Sequence, residues 1–403
     1  MLLRQAANRP DAVAIRDRLD VVTYARLVAE ARRIARNLAV SGAPPGGIVA
    51  VAAKRTPELP PLLLGILLAG CAYSVLDVRC SETRLAALVS ALRPAVVTGD
   101  AAGGRALAAA SIDHVPVERL RKPGDGPALP GPRPTDPATV FWTSDSTTVL
   151  SPHRATIRLV AACGCVPLGP AAVTLCAAAT SGTVFALELW ATLLSGGTVL
   201  PYRKDQLAPA DISGGVRRGA THLFLDSAQF AAVADDASCL SGLRALTVGG
   251  DRLDPASCRA VLAACPSLAL YNAYGAVENC GVATIHRVSQ ADLDADGGIP
   301  LGRAVAGTGV AVWDGAKAVP AGERGEIALT GAGLALGGLP APERTAVFPE
   351  LDIDGVSQRA YLTGDRGWLD ESGVLRLAEP AAAARRATTV RSGQSRFPAS
   401  ACE

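Results

Sequence analysis

The feature that most constrains the fold is a repeated alternation of helix-like and strand-like segments. Apolar residues in TYARLVAEARRIARNLAVSG, residues 23–42, recur at helical spacing, and GGIVAVAAK then reads as a buried strand. The same order returns in ELPPLLLGILLAG with AYSVLDV, and in RLAALVSALRP with AVVTGD. Because helices that connect parallel strands cover both faces of a sheet, this order predicts an α/β fold with a largely parallel, doubly covered sheet.

A second block of the same kind runs from about residue 143 to about residue 290. After it, short apolar runs are broken by glycine, which is typical of antiparallel strands and turns. We therefore expect two helix-flanked, mainly parallel sheets in residues 1–300 and a small β-rich subdomain in 301–377. The remaining residues, 378–403, have little pattern and are expected to form a frayed or disordered tail.

Charge and cysteine usage exclude several classes of function. A net charge of +2 gives no reason to expect nucleic acid or an anionic membrane as a partner. The ten cysteines contain no C-x-x-C pair and do not cluster with the four histidines. Buried, reduced thiols of a cytoplasmic protein are therefore expected rather than a zinc site.

Three other stretches bear on organisation. The most hydrophobic one, LPPLLLGILLAGCAYSVLD, has too few consecutive apolar residues to span a membrane and is read as a buried helix running into a strand. The N-terminal residues lack the long apolar run of a signal peptide. The Pro- and Gly-rich stretch 115–138 is predicted to be a loop.

The stretch TSDSTTVLSPHRA, residues 143–155, follows a strand-like run and precedes a helix-like segment. A strand, a loop of small residues and a helix start are the parts from which phosphate-binding loops are built. This stretch, however, contains no glycine and no lysine. From the residues alone it is a working nucleotide loop, a degenerate one, or a segment that only shares the outline.

Several ordered stretches together resemble the adenylation domains of nonribosomal peptide synthetases, members of the adenylate-forming superfamily. The early stretches TYARL and LLLGILLAGCAYSVLD are similar to N-terminal motifs of that family. The later stretches are TVFWTSDST, ELWATLLSGGTVL, YNAYGAVE, IPLGRAVAGTGVAVWD, GEIALTGAGLALGGL and YLTGDRGWLDESGVLRL. The resemblance extends to about residue 377 and implies the large N-terminal core of an adenylation domain.

The resemblance implies ATP and magnesium as cofactors, a small carboxylic or acyl substrate, and a phosphopantetheine-bearing carrier protein or synthetase module as partner. It assigns Glu278 to magnesium, Tyr274 to the adenine ring and Asp365 to the ribose hydroxyls, which a carboxylate can accept in pairs. The usual threonine before the glutamate is Val277 here. Further nucleotide-facing positions are Thr143, Thr147, Gly249, Gly250 and Asp251.

The family's phosphate loop reads T-S-G-S-T-G-x-P-K-G, and this chain departs from it. Asp145 and Thr148 replace its two glycines, and the following HRATIRLV aligns only if about four loop residues, the lysine among them, are deleted. Glycines let backbone N–H groups approach phosphate, and the lysine meets its charge. Asp145 adds a negative charge where phosphates sit in the family, which predicts a degenerate ATP site.

The resemblance also predicts that the family's small C-terminal domain is absent. That domain carries a lysine that grips the substrate carboxylate, and this chain stops before it. The family's hinge motif, G-R-x-D, falls at residues 378–381, where the sequence reads AEPA. The ribose-facing arginine and the hinge aspartate are therefore both missing.

The substrate pocket departs as well. Amino-acid-activating members hold the α-ammonium with an aspartate, and the matching residue here is Thr183. The other pocket positions form a mostly small, apolar set: Val184, Leu187, Thr247, Ala273 and Val282. An α-ammonium would be left unpaired in such a pocket, so the expected acyl group lacks a free α-amine.

The pattern does not identify catalytic residues. His153 with Ser144 and Ser146 is the nucleophile–base set that the spacing offers, although a structural or substrate-edge role for His153 is favoured. The retained residues have structural interpretations too. Tyr274 and Glu278 could serve a strand and its turn, and Asp365 an Asx turn.

Three classes of function remain open at this point. The first is a truncated, stand-alone homologue, repurposed without ATP to act on a carrier-protein-bound acyl intermediate of a nonribosomal-peptide-type secondary-metabolite pathway. The second is a non-catalytic scaffold of such an assembly line. The third is an adenylating ligase whose C-terminal domain is supplied in trans. The loss of loop glycines, lysine and amine-binding aspartate, with the core periodicity intact, favours the first two over the third.

Overall fold

The structure, a computed structural model, describes residues 1–18, 20–123, 131–143, 147–161, 168–295, 297–339 and 348–378. Its α-helices are α1 (Leu2–Asn8), α2 (Tyr24–Val40), α3 (Leu59–Leu68), α4 (Glu82–Leu92), α5 (Ala101–Ala109), α6 (Val117–Arg121), α7 (His153–Ala161), α8 (Thr183–Ala186), α9 (Thr192–Leu194), α10 (Pro209–Arg217), α11 (Ser227–Ala234), α12 (Pro255–Ala264) and α13 (Gln290–Asp294). A π-helical turn, Leu187–Ala191, joins α8 to α9, and 3₁₀ turns span Ala237–Leu240 and Val277–Asn279.

The strands are mostly short, apart from one of 14 residues, and those before residue 290 lie between these helices. In chain order they are β1 (Val13–Arg16), β2 (Val21–Thr23), β3 (Ile48–Ala52), β4 (Ala72–Leu76), β5 (Val96–Gly99), β6 (Val115–Pro116), β7 (Pro137–Trp142), β8 (Thr148–Pro152), β9 (Val173–Cys176), β10 (Thr198–Pro201), β11 (His222–Asp226), β12 (Ala245–Gly249), β13 (Ala269–Tyr274), β14 (Thr284–Arg287), β15 (Arg303–Ala304), β16 (Thr308–Trp313), β17 (Gly325–Gly331), β18 (Glu350–Ile353), β19 (Val356–Leu369) and β20 (Leu375–Leu377).

Two large sheets carry the helices. One has six strands in the order β6-β5-β3-β4-β7-β8, and its pairs are parallel except for the antiparallel hairpin β7–β8. The other has nine strands in the order β15-β14-β13-β12-β11-β9-β10-β1-β2. Its central pairs are parallel, and its outer pairs, β13–β14, β14–β15 and β1–β2, are antiparallel. The predicted α/β fold class is confirmed.

A third, smaller sheet is antiparallel, as the glycine-broken runs predict. It has five strands: β16-β17-β19-β18 in order, with β20 also paired to β19. The side chains of Ile327 and Leu329 on β17 are fully buried and pack with Leu375 of β20 and with Tyr274 of the nine-stranded sheet. This contact brings the ends of two sheets together, and the candidate site lies there.

The apolar core explains why the helices form where they do. On α2 the buried residues Leu27, Ala31, Ile34 and Leu38 recur at three- and four-residue spacing, so one face of the helix packs inward. Helix α3 is buried all round, and Gly65 lets α2 approach it closely. The hydrophobic stretch that contains α3 then enters β4, as predicted. No helix in the described ranges is long and apolar enough to cross a bilayer.

Two sequence predictions need correction. The stretch 115–138 is not a continuous loop, because β6, α6 and the start of β7 lie within it. Val117 and Leu120 of α6 are buried, and the Arg121 Nε atom lies 2.7 Å from the Glu30 carboxylate of α2. Residues 124–130 lie outside the described residues. The predicted order of strand, loop and helix at 143–155 is also incomplete, because β8 intervenes before α7.

Candidate functional site

The connection between β7 and β8 occupies the place of the predicted phosphate loop. Its two ends are tied together: the Thr143 N–H donates to the Thr147 carbonyl at 2.9 Å, and the Thr147 N–H donates to Thr143 Oγ1 at 3.1 Å. The two hydroxyl oxygens lie 2.6 Å apart. Thr143 and Thr147 are therefore brought together, with each hydroxyl engaged by the other. Ser144, Asp145 and Ser146 lie outside the described residues.

The outer edge of β8 is paired by residues 336–339, which follow the small sheet's strand β17. The Leu150 N–H donates to the Gly337 carbonyl at 2.8 Å, and the Leu336 N–H donates to the Leu150 carbonyl at 2.7 Å. Thr148 Oγ1 donates to the Leu339 carbonyl at 3.0 Å. The hairpin is thus held on both sides, with the outer edge of β8 paired at Leu150.

Tyr274 and Asp365, which the sequence assigns to one nucleoside, are in direct contact. The Tyr274 hydroxyl, at the end of β13, donates to Asp365 Oδ2 on β19 at 2.8 Å. The Asp365 N–H donates to Thr363 Oγ1 at 3.1 Å. Burial, reinforced by the Asp365 carboxylate, raises the pKa of Tyr274 well above its usual value, so the phenol remains a donor. The structure therefore brings these two residues into direct hydrogen-bond contact.

The turn after β13 carries Glu278. Two left-handed residues shape it, Cys280 with φ 53° and Gly281 with φ 86°. The carbonyl of Glu278 accepts the Ala335 N–H at 2.9 Å, which ties the turn to the segment that pairs with β8. In the part of the chain that the structure describes, no three His, Cys, Asp or Glu side chains come close enough to hold a metal ion. The assignment of Glu278 to magnesium stays a prediction.

The predicted adenosine-facing residues Gly249, Gly250 and Asp251 form the exit of β12. Gly250 has φ 107°, a conformation that favours glycine, and the Asp251 N–H donates to Ser227 Oγ at 3.2 Å. The next residue, Arg252, donates through Nη2 to the carbonyls of Leu377 and Ala378. This exit is therefore bonded to the end of β20.

The predicted pocket residues lie on two neighbouring strands, in the turn after β13, and on α8 with the π-helical turn that follows it. Ala273 and Val282 are buried in one apolar cluster, and Leu187 packs against it. Thr247 is 4% exposed on β12, whereas Val184 is 37% exposed. A Cβ atom on Gly281 would lie 2.7 Å from Thr183 Oγ1, so the threonine is seated directly against the glycine turn. Thr183 and the glycine turn are therefore brought together, Val184 lies at the solvent side, and the joint pocket of the whole set stays a prediction.

His153 begins α7, and its backbone N–H donates to the Asp136 carbonyl at 3.0 Å. Its ring Nε2 is buried and has no hydrogen-bond partner among the described residues. Burial lowers the pKa of the imidazole, opposed by the Asp136 carboxylate, which favours the neutral ring. Its predicted partners Ser144 and Ser146 fall outside the described ranges, so the nucleophile–base set stays untested.

The sequence analysis missed Glu188, a fully buried carboxylate in the π-helical turn beside the pocket. It accepts the N–H groups of Ala177 and Ala178 at 3.2 and 3.0 Å, at the start of the segment that leads to Thr183. Burial raises the pKa of Glu188 to about 7, although the two N–H donors oppose the shift. A glutamate inside the apolar run ALELWA was the signal available in the sequence.

Comparison with known proteins gives consistent matches. The profile of a family described as AMP-binding enzyme matches residues 2–338. The chain is 30% identical over 382 residues to nonribosomal peptide synthetase dtxS1 of Metarhizium robertsii, covering 90% of this chain and 5% of that protein. It is 32% identical over 387 residues to bacitracin synthase 1 of Bacillus licheniformis, covering 92% of this chain and 7% of that one. The chain thus spans a small fraction of the synthetases it matches.

A solved structure gives the same answer for the fold. It is holo-PA1221, an NRPS protein containing adenylation and PCP domains, bound to a vinylsulfonamide inhibitor. The two chains superpose with a TM-score of 0.85 at 30% sequence identity. The match covers 94% of this chain and 67% of that chain. The shared fold includes both large sheets and the small antiparallel sheet.

Proposed function

The chain belongs to the AMP-binding enzyme family, as a homologue of nonribosomal peptide synthetase adenylation domains, and from that premise we propose that it no longer performs ordinary ATP-dependent activation. It binds instead a small acyl group carried as a thioester on a carrier protein, and acts within a cytoplasmic nonribosomal-peptide-type pathway of secondary metabolism. The acyl group lacks a free α-amine.

The observation that carries the proposal is the connection between β7 and β8. Its sequence, TSDST, has neither glycine nor lysine, and its threonine hydroxyls bond to each other. The four lysines of the chain are Lys54, Lys122, Lys204 and Lys317, so none lies in the hairpin. Phosphate binding of the P-loop kind depends on converging backbone N–H groups and a nearby cation. The sequence of this connection supplies no such cation and no glycine that would ease a close approach of N–H groups, and Asp145 adds a charge of the wrong sign.

The nucleoside end of the site is better preserved than the phosphate end. Tyr274 and Asp365 are in direct contact, and the Gly249–Asp251 exit keeps the residue types that the resemblance assigns to adenosine. Without contacts to the phosphates, however, the site lacks the charge-assisted hydrogen bonds by which a nucleotide is recognised. The residues therefore fit ATP and magnesium at one end only, and the proposal includes no step through either.

The pocket supports the substrate class. Ala273, Val282 and Leu187 provide a small apolar lining, and Thr183 offers a neutral hydroxyl where amino-acid-activating relatives hold an ammonium group. A buried ammonium without a partner is unfavourable by several kcal/mol, on the order of the cost of burying any unpaired charge. A short, unsubstituted acyl chain has no such penalty. The PCP domain of holo-PA1221 makes a carrier protein the natural bearer of that chain.

The first test is titration of the purified protein by calorimetry with Mg-ATP and with AMP. Pyrophosphate exchange over a panel of carboxylic acids is run beside it, with the adenylation domain of a relative such as bacitracin synthase 1 as the positive control. We expect neither a binding heat for Mg-ATP nor exchange above background. Tight Mg-ATP binding together with exchange would contradict the proposal and restore the ligase interpretation.

The second test concerns Thr183. Butyryl-pantetheine is expected to bind more tightly than 2-aminobutyryl-pantetheine, and Thr183→Asp is expected to reverse that order. A carboxylate at this position would pair with the α-ammonium, and a charge-assisted contact of this kind is worth roughly ten- to a hundredfold in affinity. Calorimetry with both thioesters measures the ratio of affinities.

Ala179→Asp is the matched control, since it adds the same charge four residues away at an exposed position outside the pocket set. That variant should leave the order of the two thioesters unchanged. If Thr183→Asp leaves the order unchanged too, Thr183 does not face the α-carbon of the acyl group. If neither thioester binds the unaltered protein, the scaffold alternative becomes the better description.

A further inference from the structure

Arg158 on α7 is a buried cation whose partners are all neutral. Its side chain is only 4% exposed. None of the ion pairs formed among the described residues includes it. A buried guanidinium without a carboxylate partner is unfavourable unless hydrogen bonds replace its hydration. The position of Arg158 must therefore be explained by its hydrogen bonds and not by an ion pair.

The guanidinium donates hydrogen bonds to the turn that carries Glu278. Nη1 donates to the Val282 carbonyl at 2.7 Å, and Nη2 donates to the Asn279 carbonyl and, at 2.6 Å, to Asn279 Oδ1. The turn contains the left-handed residues Cys280 and Gly281, and its inward-facing carbonyls lie outside the strand ladder. Buried carbonyls of this kind need donors, and a planar fork can reach several of them at once.

The same guanidinium also touches the small sheet. Nη1 donates to Thr308 Oγ1 on β16 at 3.0 Å. A Cβ atom on Gly333, in the turn after β17, would lie 2.5 Å from Cζ of Arg158, so this glycine makes room for the guanidinium. One side chain therefore bonds α7, the Glu278 turn and the sheet that carries Asp365.

We propose that Arg158 is a positioning residue of the candidate site: it holds the 277–282 turn, with Glu278 and Val282, in a fixed place relative to the five-stranded sheet. The inference rests on the proposed function only in treating that turn as part of the ligand site. Arg158 acts through the turn's backbone and does not itself contact the ligand.

The test is hydrogen–deuterium exchange of the free protein, followed peptide by peptide. Arg158→Lys keeps the charge but loses the fork, and we expect amides in 276–284 to exchange roughly ten- to a hundredfold faster. Peptides from β3 and β4 in the six-stranded sheet should be unchanged. Arg32→Lys, at an exposed position on α2, is the control and should change neither region.

Gly333→Ala provides a second, independent variant, because its methyl group displaces the guanidinium while Arg158 is retained. It should accelerate exchange in the same peptides. Unchanged exchange in 276–284 for both variants, or a uniform increase over the whole molecule, would overturn the proposal.

Butyryl-pantetheine titration separates this proposal from the proposed function. Arg158→Lys should weaken binding of this probe at least roughly tenfold, since the turn that carries Val282 loses its fixed place. Weaker probe binding together with local acceleration supports both ideas. If the unaltered protein does not bind the probe, while Arg158→Lys still shows the local acceleration, positioning stands and the proposed function fails.

Discussion

The free energy of unfolding of a Glu188→Gln variant is expected to rise relative to that of the unaltered chain as the pH increases from about 5 to about 8. The reason is the position of the carboxyl group: it is fully buried, and burial raises the pKa of Glu188 from 4.5 to about 7. In the unfolded chain the group ionises near its ordinary pKa. Between the two values, the folded state therefore holds a proton that the unfolded state has released.

The sign follows from that difference. Because the folded state binds more protons in this range, the stability of the unaltered protein falls as the pH rises from about 4.5 to about 7, and levels off above it. The full difference amounts to roughly 3 kcal/mol, taking about 1.4 kcal/mol for each pKa unit. Glutamine has no proton to lose, so the variant lacks this contribution and its profile is flatter.

The groups around Glu188 oppose the shift without cancelling it. The N–H groups of Ala177 and Ala178 and the Cys176 thiol bond to the carboxylate, and the positive Arg55 favours its charged form. The Arg55 guanidinium donates to the Ala178 carbonyl at 2.5 Å, so the backbone of Ala178 bonds to Glu188 through its N–H and to Arg55 through its carbonyl. Desolvation outweighs these effects because the carboxylate has no contact with water.

Urea unfolding at several pH values measures this effect, and the quantity to compare is the difference between the variant and the unaltered chain. Glu371→Gln, at an exposed position, is the control and should run parallel to the unaltered chain. If the profile of Glu188→Gln is parallel as well, Glu188 is ionised throughout and the segment leading to Thr183 is hydrated.

Gly103→Ala is expected to lower the free energy of unfolding by about 3 kcal/mol or more. Gly103 lies in the first turn of α5, which packs on the end of β3. A Cβ atom there would lie 2.5 Å from the carbonyl carbon of Ala52, and closer still to its oxygen. Both atoms belong to the backbone of a buried strand, so relief requires the helix to move away from the sheet.

Gly104→Ala is the matched variant in the same helix. Its Cβ atom would meet His114 Nε2 at 3.2 Å, the end of a side chain that can shift. Alanine is favoured over glycine in a helix by about 1 kcal/mol, which offsets this contact. Urea unfolding of both variants should therefore separate them clearly. Equal stabilities would mean that α5 is not seated on Ala52 as described.

The sequence predicts most of the helices and strands well because each has a local pattern of apolar residues. In these elements the local pattern indicates which residues are buried. Examples are the apolar spacing of α2, the continuous apolar run of α3 and β4, and the glycine-broken runs of the small sheet. The structure confirms each of these elements. The family resemblance, which rests on motifs in order along the chain, is confirmed by matches over nearly the whole length.

What sequence reasoning missed depends on contacts between distant segments. Strand β8 is a strand because β7 and residues 336–339 pair with its two edges, and neither partner can be read from its own sequence. Periodicity places the charged residue Arg158 on the outer face of its helix. It leaves Glu188 as a charged residue that interrupts an apolar run. Their burial is decided by the Asn279 and Ala178 backbones, which reach them only in the folded chain.

The double pairing of β8 has a consequence for engineering. Because residues 336–339 fix the register of β8 from its outer edge, the hairpin tip can change length without moving the strand that follows it. We therefore expect a longer, glycine-rich insert bearing a lysine to be accepted between Thr143 and Thr147 with the register of β8 unchanged.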